Sequence, residues 1–301
     1  MIQDLIFNNI DFLIDIVLAF ITMSLGLNLT RSDFNKLFLN PKSLTIGLIA
    51  QMILLPLLAF ILISFSDFSP ATKVGFVIIS LCPGGVTSNL VSFLLKGNIA
   101  LSISLTVING LLCMVTIPIL TNLALYYFFH QSSDINLPVL STISHIALVT
   151  LIPAIIGVFI RGRLPDIAKK IIPILKYLLP SLLLIVFMVK IFAPEDKGGV
   201  MLTQLELVSQ GYWVLSLNFL SMLLGYFLST FFHVEFRNKI TIIVEVGLQN
   251  TALALLVSGN ILKNIEMQKP AMVYAILTFL STLIFGWMIK KVALTFKKTK
   301  L

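Results

Sequence analysis

Apolar residues follow one another in long unbroken stretches along this chain, and polar residues collect in the short intervals between them. Runs such as Leu44 to Phe65 have the length, about 20 residues, that carries a helix across roughly 30 Å of hydrocarbon. A membrane β-barrel needs short segments of alternating polarity instead, and these runs do not alternate. The pattern predicts nine spans, at about 9–29, 43–65, 72–95, 99–128, 138–160, 171–193, 209–232, 239–259 and 270–291. The expected fold class is all-α and polytopic, with nine transmembrane helices. No long polar linker or low-complexity segment intervenes, so residues 1–301 read as a single membrane transporter domain. An odd number of spans puts the termini on opposite sides.

Composition agrees with the pattern, since hydrophobic residues make up 58% of the chain and charged residues 11%. A soluble domain carries roughly a quarter charged residues, so this chain has too few to cover a water-facing surface. The net charge of +8 would suggest nucleic acid as the partner of a soluble protein. Here it follows one set of loops: Arg31, Lys36 and Lys42; Lys96; Arg161, Arg163, Lys169 and Lys170; Arg237 and Lys239; and Lys290 through Lys300. The opposite set holds Lys197, Lys263 and Lys269 beside Asp67, Asp134, Glu195, Asp196, Glu206 and Glu266. Lys and Arg accumulate in cytoplasmic loops. That places the protein in the inner (plasma) membrane with its N-terminus outside and its C-terminus in the cytoplasm. The implied partner is the lipid bilayer, with no nucleic acid and no obligate protein partner. Cys82 and Cys113 fall in apolar segments and offer neither a disulfide framework nor a C-x-x-C site. Met1 to Ile10 lacks the basic n-region of a cleavable signal.

Two spans do not read as ordinary helices. In the third, Pro83, Gly84 and Gly85 interrupt the apolar run and Thr87, Ser88 and Asn89 follow. Proline removes a backbone donor and clashes with the preceding turn; a simple kink with interhelical polar contacts is the plainer reading. The eighth span contains Glu245, the only acid that the predicted boundaries place near the middle of a span, followed by Gly247, Gln249 and Asn250. A charge there costs several kcal/mol even on mild scales and normally faces a bundle interior or a partner. The spacing predicts Gln249 on the helical face of Glu245, with Gly247 permitting local unwinding. A salt bridge from Glu245 to Lys176 or Lys190 is the structural alternative, although both lysines lie near span ends and can snorkel. The interrupted third span corresponds to the interrupted eighth in inverted orientation, the pattern that marks the midplane site of a secondary transporter. The first half then has four spans and the second five, as if an opening helix were missing.

The chemistry near the two interruptions is nearly all oxygen: Glu245, Gln249, Asn89 and Gln51, with the hydroxyls of Ser88, Ser102 and Thr106. Hard cations take oxygen ligands, and one carboxylate among neutral oxygens suits a monovalent ion. Zinc spacing is absent. No serine has a nearby base; His145 is the one histidine within a span and reads as a structural polar group, so no enzyme activity is expected.

Four runs carry a resemblance: GLNLTRSDF from Gly26 to Phe34, CPGGVTSN from Cys82 to Asn89, KGNIALS from Lys96 to Ser102, and EVGLQN from Glu245 to Asn250. They resemble the bile acid:sodium symporter family over nearly the whole chain, with their mutual spacing kept. The resemblance implies an inverted-repeat transporter with panel and core domains and two discontinuous helices crossing in the core. It implies the nine-helix form, without the first of ten. It also implies two Na+ sites, the first formed by Ser88, Asn89, Ser102, Thr106 and Glu245. The second would use Gln51, Glu245, Gln249 and the carbonyls of Val246 and Leu248. Val86, Thr87 and Asn250 match positions lining the substrate cavity.

The substrate side departs from the family pattern. Val86 stands where one relative has a polar residue, and Tyr274 to Ser281 lacks an expected His-Asn pair. The reading is a sodium-coupled symporter importing a small organic anion by alternating access. A proton-coupled or uncoupled efflux carrier of a related fold, like the arsenite permeases, is the competing reading.

Overall fold

The computed structural model describes residues 10–29, 41–129, 136–194 and 198–298. Outside them lie Arg31, Lys36, His130, Asp134, Glu195, Asp196, Lys197 and Lys300, together with Thr30 to Phe34 of the first motif. The Lys176 side chain is outside the description as well.

Every described element is helical. The order is α1 (Ile10–Asn28), α2 (Pro41–Ser64), α3 (Pro70–Leu81), α4 (Val86–Leu94), α5 (Ile99–Phe128), α6 (Val139–Arg163), α7 (Pro165–Phe192), α8 (Gln204–Phe231), α9 (Phe236–Gly247), α10 (Thr251–Leu255) and α11 (Ile265–Lys298). After α10 the chain makes a π-helical turn, Leu256–Ile261. Among the described residues, seven helices are long and apolar enough to cross a membrane when Phe236–Ile261 is taken as one. The bent pair α3–α4 and the bent α7 bring the number to nine if each is a single span.

Proline shapes several of these elements. Pro70 opens α3 behind Ser69, whose hydroxyl accepts from Thr72 N at 3.2 Å. Two further π-helical turns, Ala50–Leu54 in α2 and Ala147–Leu151 in α6, are each followed two residues later by a proline, Pro56 or Pro153. A proline cannot donate to the carbonyl four residues back and crowds it; the wider turn relieves that conflict. The first of these turns carries Gln51 into the protein interior, where it is 2% exposed.

The third and eighth spans break where the sequence predicts interruptions. Residues 82–85 are not helical, and α3 and α4 meet at a bend of 58°. In the eighth, Gly247 is still helical and the break covers Leu248 to Asn250. The expected i, i+4 face of Glu245 and Gln249 therefore does not form, because the helix stops between them.

Helices α1, α6 and α7 pack on one another. Gly26 of α1 faces the Ala154 carbonyl of α6, and Gly157 of α6 faces the Met23 carbonyl of α1, so a Cβ at either would strike backbone. Small residues at such a contact let membrane helices approach closely without help from the hydrophobic effect. The other helices gather round the α9–α10 run. Of its apolar window 94% is buried, against at most 50% for any other helix that qualifies alone. It is the central post of the bundle.

Described members of the two loop sets gather in two separate polar clusters. Asn238 donates to Ser43 Oγ (3.0 Å) and accepts from Asn98 Nδ2 (2.8 Å), joining the starts of α2, α5 and α9 beside Lys42, Lys96 and Arg237. In the other cluster Lys269 pairs with Glu206 (2.5 Å) and Glu266, and Thr72 reaches Glu266 at 3.4 Å. Lys190 does not snorkel. It is fully buried and pairs with Asp11.

Candidate functional site

The two breaks touch. Asn250 N donates to the Pro83 carbonyl at 2.8 Å, and Gln51 Nε2 donates to the Cys82 carbonyl at 3.0 Å. Backbone freed by a break in a membrane needs partners from protein or a water-lined cavity. Here each break supplies part of the other's needs. The last carbonyl of α9, Gly247, accepts from Asn218 Nδ2 (2.6 Å) and Tyr274 Oη (2.7 Å). Asn218 in turn donates to Thr282 Oγ1 (3.0 Å) and accepts from Ser281 Oγ (2.6 Å). Sequence reading missed this brace; its visible signal is Asn218, an amide in the middle of the seventh predicted span.

Glu245 is 1% exposed, and no described cation pairs with it. Three hydroxyls point at its carboxylate: Ser88 (3.0 Å to Oε1), Ser102 (to Oε1) and Thr106 (3.2 Å to Oε2). The break lets α4 come this close. A Cβ on Gly84 would overlap Glu245 Oε2 and lie 2.8 Å from Ser88 Oγ.

Proton supply in this cluster is short. A hydroxyl has one proton, yet Ser102 Oγ lies within bonding distance of Glu245, of Asn89 Oδ1 (2.7 Å) and of Ser92 Oγ (3.4 Å). Ser88 Oγ is likewise shared between Glu245 and the Gly85 carbonyl (2.7 Å). Asn89 Nδ2 is buried without a partner. Turning that amide over would let it donate to Ser102 and would leave Oδ1 without a donor instead. In either orientation oxygens face one another with fewer protons than contacts, an arrangement that a cation among them stabilises.

A second oxygen group adjoins the first. Gln51 Nε2 donates to Gln249 Oε1 at 2.5 Å, while Gln51 Oε1 is buried with no partner. Gln249 Nε2 donates to the Val246 carbonyl at 2.8 Å. Leu248 lies in extended backbone between them. The structure thus brings Ser88, Asn89, Ser102 and Thr106 to Glu245, and Gln51 to Gln249.

Thr87 and Asn250, two of the three residues matched to the substrate cavity, both lie beside Gly85, whose Cβ would stand 3.8 Å from Thr87 Oγ1 and from Asn250 Cβ. Thr87 lines a cavity of about 380 Å³ with Leu248 and Gln249 from the second break and Thr251 at the start of α10, walled by apolar residues of α7 and α11 such as Phe187 and Phe279. Val86 is not on its lining and packs instead against Val17, Ile21 and Leu179. Asn250 is also off the lining; its Oδ1 caps α10 by accepting from Leu253 N at 3.1 Å.

Glu245 is not alone among the spans. Asp15 lies in the second turn of α1 with its side chain 16% exposed, and His145 Nε2 stands 3.3 Å from its Oδ2. The predicted boundaries put Asp15 nearer a span end, which hid it.

Residues 15–197 match the family described as the Sodium Bile acid symporter family. An uncharacterized sodium-dependent transporter of Bacillus subtilis (strain 168) is 32% identical over 241 residues, 80% of this chain and 71% of that one. A chloroplastic "probable sodium/metabolite cotransporter" of Oryza sativa subsp. japonica is 29% identical over 260 residues, 85% of this chain and 58% of its own. The ileal sodium/bile acid cotransporter of Mus musculus is 30% identical over 244 residues, with 79% of this chain and 66% of that one covered. The chain therefore spans about three fifths to seven tenths of these relatives.

Proposed function

The chain belongs to the sodium bile acid symporter family, whose matched relatives are named as transporters and not as enzymes, and from that premise we propose a sodium-coupled importer of a small organic anion. The observation that carries the proposal is the buried, unpaired Glu245 carboxylate set among hydroxyls that are short of protons. A first Na+ takes Ser88, Asn89, Ser102, Thr106 and Glu245. A second takes Gln51, Glu245, Gln249 and the carbonyls of Val246 and Leu248, with both glutamine amides turned oxygen-inward; the orphan Gln51 Oε1 supports this. The C-terminal ends of α3 and α9 both arrive at the crossing, and the partial negative charge of such ends favours cations.

The anion binds on the far side of the crossing, in the cavity containing Thr87 and Thr251. Its volume falls in the usual range for small-ligand sites, and its largely apolar walls suit an anion with a hydrocarbon body. The two broken spans are counterparts in inverted halves, and alternating access moves the α1–α6–α7 layer against the rest. The richer Lys and Arg content of one loop set supports an N-terminus outside the plasma membrane.

The test uses purified protein. Sodium, in place of potassium at constant ionic strength, raises the melting temperature; a single site at 100 times its Kd contributes about 2.7 kcal/mol. A thermal-shift screen of small carboxylates, sulfonates and bile salts with and without sodium identifies the cargo. Glu245→Ala then abolishes sodium-driven uptake of that cargo into proteoliposomes while leaving a folded protein. Uptake that persists without sodium and survives the substitution overturns the proposal, and uptake driven by a pH gradient alone supports proton coupling instead.

A further inference from the structure

The Gly247 carbonyl closes α9, and in a membrane its oxygen needs a partner from the protein. It receives two. Asn218 Nδ2 on α8 and Tyr274 Oη on α11 both donate to it, at 2.6 and 2.7 Å. A carbonyl oxygen has two lone pairs, so this one is saturated and keeps nothing in reserve for an ion. The donors are themselves held in place. Asn218, Tyr274 and Thr282 are fully buried. The second amide proton of Asn218 goes to Thr282 Oγ1 (3.0 Å), and its oxygen accepts from Ser281 Oγ (2.6 Å). Turning the amide over would set Asn218 Oδ1 against the Gly247 oxygen, so its orientation is decided.

The consequence falls on the next peptide. Leu248 has φ −120° and ψ 116°, the values of a β-strand, in which consecutive carbonyls point to opposite sides of the chain. Holding the Gly247 oxygen toward α8 and α11 therefore turns the Leu248 oxygen away from both helices. On the other flank the Val246 carbonyl is reached by Gln249 Nε2 at 2.8 Å. The two carbonyls assigned to the second sodium thus flank one that has been withdrawn between them.

Resting on the sodium reading above, we propose that Asn218 and Tyr274 are positioning residues for ion binding. They touch no ion. By fixing the Gly247 carbonyl they set the direction of the Leu248 carbonyl, and through it the affinity for sodium and the preference for sodium over a smaller ion. Two buried donors on one backbone oxygen hold a direction that a single bond would leave free to swing, and a ligand carbonyl that swings fits ions of different radius alike.

The test titrates purified protein with sodium against choline at constant ionic strength, reads the melting temperature, and repeats the titration with lithium. Tyr274→Phe keeps the ring and removes only the donor; Asn218→Leu removes the amide at similar volume. Ser221→Ala is the control, since its hydroxyl bonds the Asn218 backbone carbonyl at 2.7 Å and not the amide. Tyr274→Phe raises the half-saturating sodium concentration by about fivefold, the scale of one hydrogen bond, and narrows the difference between sodium and lithium. Asn218→Leu raises it further, and Ser221→Ala changes neither quantity. In proteoliposomes Tyr274→Phe keeps its maximal uptake once sodium is saturating. A merely structural brace would lower the melting temperature equally in sodium and in choline and leave half-saturation where it was. Half-saturation in Tyr274→Phe within about twofold of wild type, with an unaltered lithium preference, overturns the proposal whether or not Asn218→Leu folds. A wild-type protein without any sodium response overturns the sodium reading itself, so the wild-type titration tells the two failures apart.

Discussion

Each hydroxyl around Glu245 has a different standing, because they compete for the same two oxygens. Ser102 makes the closest approach and is fully buried, whereas Thr106 reaches the carboxylate at 3.2 to 3.4 Å. A hydrogen bond to a charged group is worth about 1.5–3 kcal/mol, and tenfold in affinity corresponds to about 1.4 kcal/mol. Ser102→Ala should therefore raise the sodium concentration for half-maximal uptake by about tenfold or more, and Thr106→Ala should raise it by less. Sodium titrations of transport read both. The Asp11–Lys190 pair is asymmetric in another way, with Lys190 fully buried and the Asp11 side chain 41% exposed. Stranding a buried charge costs about 3 kcal/mol or more. Asp11→Asn should accordingly lower the melting temperature well beyond Lys190→Met, which leaves only a half-hydrated carboxylate behind.

Among the elements, the broken spans differ in how tightly their glycines are held. A methyl on Gly84 meets the Glu245 carboxylate and Ser88, neither of which can withdraw without losing the cluster. A methyl on Gly247 meets Met222 Cγ at 2.6 Å, the middle of a flexible side chain, and methionine repacks readily. Gly84→Ala should abolish sodium-dependent uptake, and Gly247→Ala should retain most of it at a modest loss of thermal stability. The positions of these breaks were legible along the chain, since Pro83-Gly84-Gly85 and the polar run from Glu245 to Asn250 both violate the apolar pattern. The residue at which α9 stops was not. Gly247 suggested unwinding at itself, yet its carbonyl is held by Asn218 and Tyr274, and the chain leaves the helix only at Leu248. Those partners come from α8 and α11, at distances along the chain that no local pattern encodes.

Over the whole molecule, the proposed stoichiometry has an electrical consequence. Two Na+ with one monovalent anion carry a net charge of +1 inward, and 100 mV, inside negative, contributes about 2.3 kcal/mol per charge, roughly a fifty-fold change in accumulation. Uptake into proteoliposomes should rise when a potassium diffusion potential makes the lumen negative and fall when the potential is reversed. Hydropathy along the chain was enough to establish a helical membrane protein and the separation of two loop sets, because both depend on each segment's own exchange with lipid and water. It also singled out Glu245, whose presence in hydrocarbon demands explanation without reference to any neighbour. The tertiary structure decided what no single segment contains. It brought Ser88, Asn89, Ser102 and Thr106 from the third and fourth predicted spans onto the eighth, paired Gln51 with Gln249 across 198 positions of sequence, and assembled Asp15, His145 and Asn260 from three separate helices. Local periodicity reports which side chains leave water; which oxygens then face one another depends on how the helices pack.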